Sequence, residues 1–240
     1  MRKLFLAAFT ACLLAATHPL NGQMILSQPI PKEVAQALEQ EQQAARLAAR
    51  GQMAEADALF RQSLTTVERH LPNDPILAGS LNNVAQFYRT QRRYVEAARL
   101  FNRALTIYVG AYGDNHTLTA TVINNLANTY LANKQFDAAE VLYKRGLAAT
   151  ETLLGPDHYS VAISLDWLAQ SLFFQRRYGE SEAHLRRGIV VAEKAKGPES
   201  KLVVQLLDHL ISVVEAQGRK QEAVAIKERA QQLVAKLPKG

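Results

Sequence analysis

The chain has 240 residues, 48% of them hydrophobic and 21% charged, with a formal net charge of +6. That mixture is too apolar for a disordered chain and ordinary for one packed domain or two. A single cysteine excludes a disulfide framework and a cysteine-type zinc site, and 7% aromatics with few glycines and prolines disfavour a β-sandwich.

Met1-Arg2-Lys3 is a short positive segment, and an apolar run of 13 residues follows from Leu4 to Ala16. Thr17 to Gln23 is polar and loop-like. This is the layout of a secretory signal peptide, and the run is shorter than the roughly 20 residues of a membrane span. Cleavage is expected after Ala16 or Gly22, although Leu14 and Leu20 spoil the small-x-small rule at both. Loss of residues 1–22 removes Arg2, Lys3 and Cys12 and lowers the net charge from +6 to +4. Phe9 to Cys12 has the outline of a bacterial lipobox, so a lipid anchor at Cys12 is the alternative and the only membrane contact expected. It is the weaker reading, because the apolar run continues past the cysteine. A mature chain without thiols suits an oxidising compartment. The expected location is therefore export, with the bacterial periplasm preferred over secretion or a membrane-anchored lipoprotein. There is no basic run, so nucleic acid is not expected as a partner.

Residues 23–32 read as a linker. Beyond it the chain repeats. Leu81-Asn82-Asn83-Val84-Ala85-Gln86-Phe87-Tyr88 returns 42 positions later as Ile123-Asn124-Asn125-Leu126-Ala127-Asn128-Thr129-Tyr130. It returns again as Leu165-Asp166-Trp167-Leu168-Ala169-Gln170-Ser171-Leu172, and more faintly at Leu207-Asp208-His209-Leu210. A second block keeps step: Tyr94, Ala97, Phe101 and Ala104, then Phe136, Ala139, Tyr143 and Gly146. An upstream unit carries Ala44, Leu47, Ala56, Phe60 and Leu64. Five units result, at about 33–75, 76–117, 118–159, 160–201 and 202–238.

Each unit holds two apolar stripes with spacings of three and four, hence two amphipathic helices. In the second unit these are expected at about 76–91 and 93–110, joined by the tight polar turn Gln91-Arg92-Arg93. Ala85, Ala97 and Ala104 mark close helix approach, and Tyr88 and Phe101 fill the space between. The connections Gly113-Asp114-Asn115-His116, Gly155-Pro156-Asp157-His158 and Gly197-Pro198-Glu199-Ser200 place glycine where a helix C-terminus wants a left-handed residue. Asp or Asn follows where the next helix wants a cap, as does Asp74 before Pro75.

The pattern of small residue, Tyr, Ala, aromatic and Ala at these spacings resembles the tetratricopeptide repeat (TPR). The 42-residue period, the Leu-Asn-Asn-Val-Ala opening and the Gly-Pro-Asp-His linker resemble the longer repeats typified by kinesin light chain. The resemblance implies an all-α, right-handed α-solenoid of five helix-turn-helix units, with first helices lining a concave groove for peptides or proteins. The ends depart from the pattern at Gln40, Gln43, Lys220 and Lys227, where capping units would need a polar face.

No HExxH, GxSxG or Gly-rich phosphate loop is present, so no catalytic residue, metal or cofactor is expected and the chain reads as a non-enzyme. His116 and His158 read as linker and cap residues. By the resemblance, Asn82, Asn83, Gln86, Asn124, Asn125 and Asn128 face the groove. An amide there can pair with the backbone of an extended peptide. The fourth unit instead carries Asp166, Trp167, Gln170, Phe173 and Phe174, three aromatics where the repeat does not require them, hence a candidate hot spot. Arg89, Arg92, Arg93, Arg176 and Arg177 form a repeated basic edge that reads mainly as solvated turns. The expected function is an exported scaffold or adaptor for a protein or peptide. The alternatives are an accessory factor of envelope assembly (outer-membrane, pilus or cell-wall machinery) or a regulatory subunit of an envelope enzyme. End-to-end pairing with a second copy also stays open.

Overall fold

The structure, a computed structural model, describes residues 29–237. The signal-peptide and lipobox readings fall on residues outside these. The described residues form ten helices and no strand. The chain divides into two compact units at Ala111 and Tyr112. The first holds α1 (Lys32–Ala49), α2 (Met53–His70), α3 (Pro75–Thr90) and α4 (Tyr94–Tyr112), whose last residue falls with the second unit. The second holds α5 (Thr117–Ala132), α6 (Phe136–Leu154), α7 (Tyr159–Phe174), α8 (Tyr178–Lys196), α9 (Lys201–Ala216) and α10 (Lys220–Lys236). The expected all-α, helix-turn-helix repeat fold is thus the observed one.

The helix pairs pack as the small and large positions require. In the first unit Ala85, Ala97, Ala104 and Phe101 are fully buried, and the Phe60 and Phe87 rings meet at 5.0 Å. In the second unit one continuous core runs through Leu165, Leu168, Leu172, Leu185, Leu206 and Leu210. Glycine replaces alanine at two close approaches. A Cβ on Gly146 would stand 2.5 Å from Asn124 Oδ1, and one on Gly188 would stand 3.3 Å from Leu206.

The turns show a device that the sequence reading did not anticipate. Arg92, Lys134 and Arg176 each adopt positive φ, near 60°. Each sits just past a first helix, where the next residue's N–H bonds back five positions: Arg93 to Tyr88, Gln135 to Tyr130, Arg177 to Leu172. These are Schellman turns, and a left-handed residue closes them. A side chain there costs roughly 1–2 kcal/mol relative to glycine before glycine's extra chain entropy is counted. Lys134→Gly is therefore expected to raise stability by about 0.5–1 kcal/mol, read from the thermal midpoint.

Between pairs, Gly113, Gly155 and Gly197 take positive φ as expected. The caps are shifted by one residue from the expected Asn115 and Asp157. His116 Nδ1 accepts from the Leu118 N–H at 3.2 Å and His158 Nδ1 from Ser160 at 3.1 Å, while Asp74 caps α3 as expected. The imidazole places an acceptor where an Asn or Asp oxygen would otherwise be. Asp157 pairs instead with Lys194, and Asp114 with Arg145.

Candidate functional site

In the first unit the position that carries Asn83 meets a buried carboxyl. Asn83 Nδ2 donates to Glu41 Oε2 at 3.2 Å, and the Ser63 hydroxyl approaches Oε1 at 3.5 Å. Glu41 is almost completely enclosed, and its burial pushes the carboxyl above its ordinary value against the hydrogen bonds of Ser80, Asn83 and Ser63. Asn82 and Asn83 are only 3% and 8% exposed. Both are therefore buried, and the Asn83 amide is taken up by Glu41 of α1. Gln86 is half-buried.

The raised value gives a sign. Glu41 contributes stability fully below the unfolded value near 4.5, and that contribution is lost as pH rises through the folded value. Glu41→Gln keeps the shape and removes the charge. The variant is expected to gain on the wild type as pH rises, which parallel urea melts at acid and alkaline pH would read.

The predicted basic edge is neutralised at two of its residues. In the first unit Arg93 pairs with Asp57 at 3.0 Å and with Glu96, and its guanidinium lies 3.9 Å from the Tyr88 ring centroid. In the second, Arg177 binds Glu140 and Glu180, both at 2.6 Å. Such pairs join a turn to the preceding helix pair and contribute at most about 1 kcal/mol each.

The second unit carries the better candidate. Asp166 is 1% exposed and sits on α7 facing α9. It accepts hydrogen bonds from Gln170 Nε2 at 3.3 Å, Gln205 Nε2 at 2.7 Å and His209 Nδ1 at 2.6 Å. The Asp166 hydrogen bond raises the His209 value above the ordinary histidine range, against partial desolvation. A pocket of about 150 Å³ adjoins this cluster. Ala169, Phe173, Leu185 and Val213 give it apolar walls; Gln170, His209 and Ser212 give it polar atoms.

The predicted aromatics split into three roles. Trp167 is half-buried and lies 6.2 Å from the Tyr143 ring, so it is in part a packing residue. Phe173 is half-buried against the core and meets Tyr178 at 5.6 Å. Phe174 is 52% exposed and stacks on Phe136 at 5.1 Å. Asn128 accepts from the Tyr143 hydroxyl at 2.6 Å, Asn125 is half-buried, and the Asn124 side-chain oxygen occupies the space beside Gly146. Gln170, Phe173 and Phe174 therefore line one pocket with Asp166 behind them, whereas Asn124, Asn125 and Asn128 do not line it. His209, Gln205 and Ser212 were missed as site residues. Their signal was present, since His209 stands 42 residues after Trp167 in the repeat register. Among the described residues no group of three His, Cys, Asp or Glu is placed to hold a metal, and no helix is long and apolar enough to cross a membrane.

The family model described as tetratricopeptide repeat matches residues 33–108, 76–152 and 120–189, more than half of the chain. No curated protein matches. Among solved structures, the kinesin light chain nearly identical TPR-like repeats of Podosopora anserina superpose with a TM-score of 0.78 at 22% identity, covering 88% of this chain and 100% of that one. BtubC (BKLC) from P. vanneervenii gives 0.70 at 22%, covering 85% and 90%. Rap protein complexed with competence and sporulation factor gives 0.62 at 15%, covering 85% and 55%. These identities establish likeness of fold.

Proposed function

The chain belongs to the tetratricopeptide-repeat family, and from that premise we propose that it is a non-catalytic scaffold whose second unit holds a peptide or protein segment. The carrying observation is Phe174, half exposed beside a pocket that it lines together with Phe173, Gln170 and His209. Large exposed aromatics next to a pocket are what interface anchors require. A Rap protein of similar fold, complexed with competence and sporulation factor, supports this class of partner.

The finer reading is an exported adaptor, with an accessory role in envelope assembly as its alternative. Export rests on the charge and hydropathy layout of residues 1–22 alone. Secretion of a reporter fused behind residues 1–28 tests that point, and retention in the cytoplasm removes it.

The scaffold reading is tested with a displayed library of random 12-residue peptides, selected on the full chain. Phe174→Ala is expected to weaken selected peptides by at least about 1 kcal/mol. Its stability cost is about 1 kcal/mol, the value of one exposed aromatic pair. A library that yields no binder overturns the scaffold reading.

A further inference from the structure

His209 has one ring nitrogen committed and one left over. Nδ1 lies 2.6 Å from Asp166 Oδ1, so that nitrogen carries a proton in either charge state of the ring. Nε2 is the nitrogen left for the pocket that His209 lines. Asp166 cannot turn away, because it is buried and also holds Gln170 and Gln205. The imidazole is thereby aimed from behind, by a carboxylate on a neighbouring helix.

The charge around the ring selects what it would bind. Asp166 from α7 and Asp208 from its own helix act on His209, while α8 faces the pocket with Ser181 and Leu185, which carry no charge. A protonated His209 is thus already balanced by Asp166, and Asp208 adds negative potential. A ligand anion would gain little there, whereas a neutral carbonyl accepts from Nε2–H without a charge penalty. The walls offered by Ala169, Phe173, Leu185 and Val213 suit an uncharged side chain.

We propose that this pocket is a proton-linked peptide subsite, in which an apolar side chain enters between Phe173, Leu185 and Val213 while His209, held by Asp166, donates from Nε2 to the carbonyl of the adjoining peptide bond. The subsite rests on the scaffold reading above and specifies which residues read the peptide. When His209 is neutral, its proton stays on Nδ1 beside Asp166 and Nε2 turns from donor to acceptor. Binding therefore takes up a proton and weakens as pH rises through the value of His209. Asp166 acts here as a positioning residue.

The test uses the full chain and two probes, N-acetyl-phenylalaninamide and the charged N-acetyl-phenylalanine, followed by amide chemical shifts at about pH 5.5 and 8.5. The expected result is movement of the Ala169, Leu185 and Val213 signals by the amide probe, with affinity about fivefold or more higher at acid pH. Asp166→Asn is expected to move this pH profile to lower pH, a change that a purely structural role would not produce. Folding of the variant is checked by helicity, and His209→Gln serves as a second variant, expected to flatten the profile. Equal affinity at both pH values overturns the proton linkage. Tighter binding of the charged probe at acid pH overturns the carbonyl acceptor, and no movement of the pocket signals by either probe overturns the subsite. The scaffold reading is judged separately, by the random-peptide selection: peptides that bind without moving these signals leave it standing and remove the subsite.

Discussion

Truncation of Tyr143 to alanine is expected to lower the stability of the second unit by about 4 kcal/mol. The ring is fully buried, the largest side chain to be so among the described residues, and lies against Trp167 at 6.2 Å. Its hydroxyl donates to Asn128 at 2.6 Å, so the variant loses both the packing and a hydrogen bond. Tyr143→Phe separates the two and is expected to cost about 1 kcal/mol, the net value of one hydrogen bond. Trp167, the only tryptophan, reports both variants directly in urea melts followed by its fluorescence. A cost below about 2 kcal/mol for Tyr143→Ala would show that the neighbouring helices close over the gap.

Asp166→Ala is expected to cost about 2–3 kcal/mol, because it leaves Gln170, Gln205 and His209 without their shared acceptor. The figure lies below the 3–5 kcal/mol or so of a fully buried ion pair, since water can reach the partners: the His209 side chain is 34% exposed. Part of the cost depends on pH. The His209 value is raised in the fold by Asp166, so its contribution is fully present below the unfolded value near 6.5 and is lost as pH rises through the folded one. The stability gap between wild type and Asp166→Ala is therefore expected to narrow as pH climbs above about 6.5. A gap that widened over that range would mean that His209 is not the group Asp166 holds. The comparison is best made against the variant, because His116 and His184, whose values burial lowers, add the opposite slope to both proteins alike.

Much of the architecture was legible because the repeat states it five times. Ala85, Ala97, Ala104 and Phe101 were readable as contact positions, since their counterparts recur every 42 residues and a helix surface admits only small residues at close approach. Glycines 113, 155 and 197 were readable for the same reason, as left-handed helix ends. The lining of the candidate pocket was legible in part. Gln170, Phe173 and Phe174 stood out as departures from the repeat, and they do share a pocket. Asn82 and Asn83 followed the repeat and proved buried.

By itself, then, the sequence determined the period, the helical class, the pairing of stripes within each unit and the punctuation between them. All of these are local properties: spacing along a helix, backbone preference at a turn, and side-chain size at a contact. Tertiary structure alone decided which polar atoms meet. Glu41 finds Asn83 at a separation of 42 residues, and Asp166 finds Gln205 and His209 at 39 and 43. A hydrogen bond requires its partners to lie within tenths of an ångström of the right distance. The chain encodes that placement only through the stacking of whole helix pairs, which carries His209 to Asp166 and makes a pocket from residues that no single repeat contains.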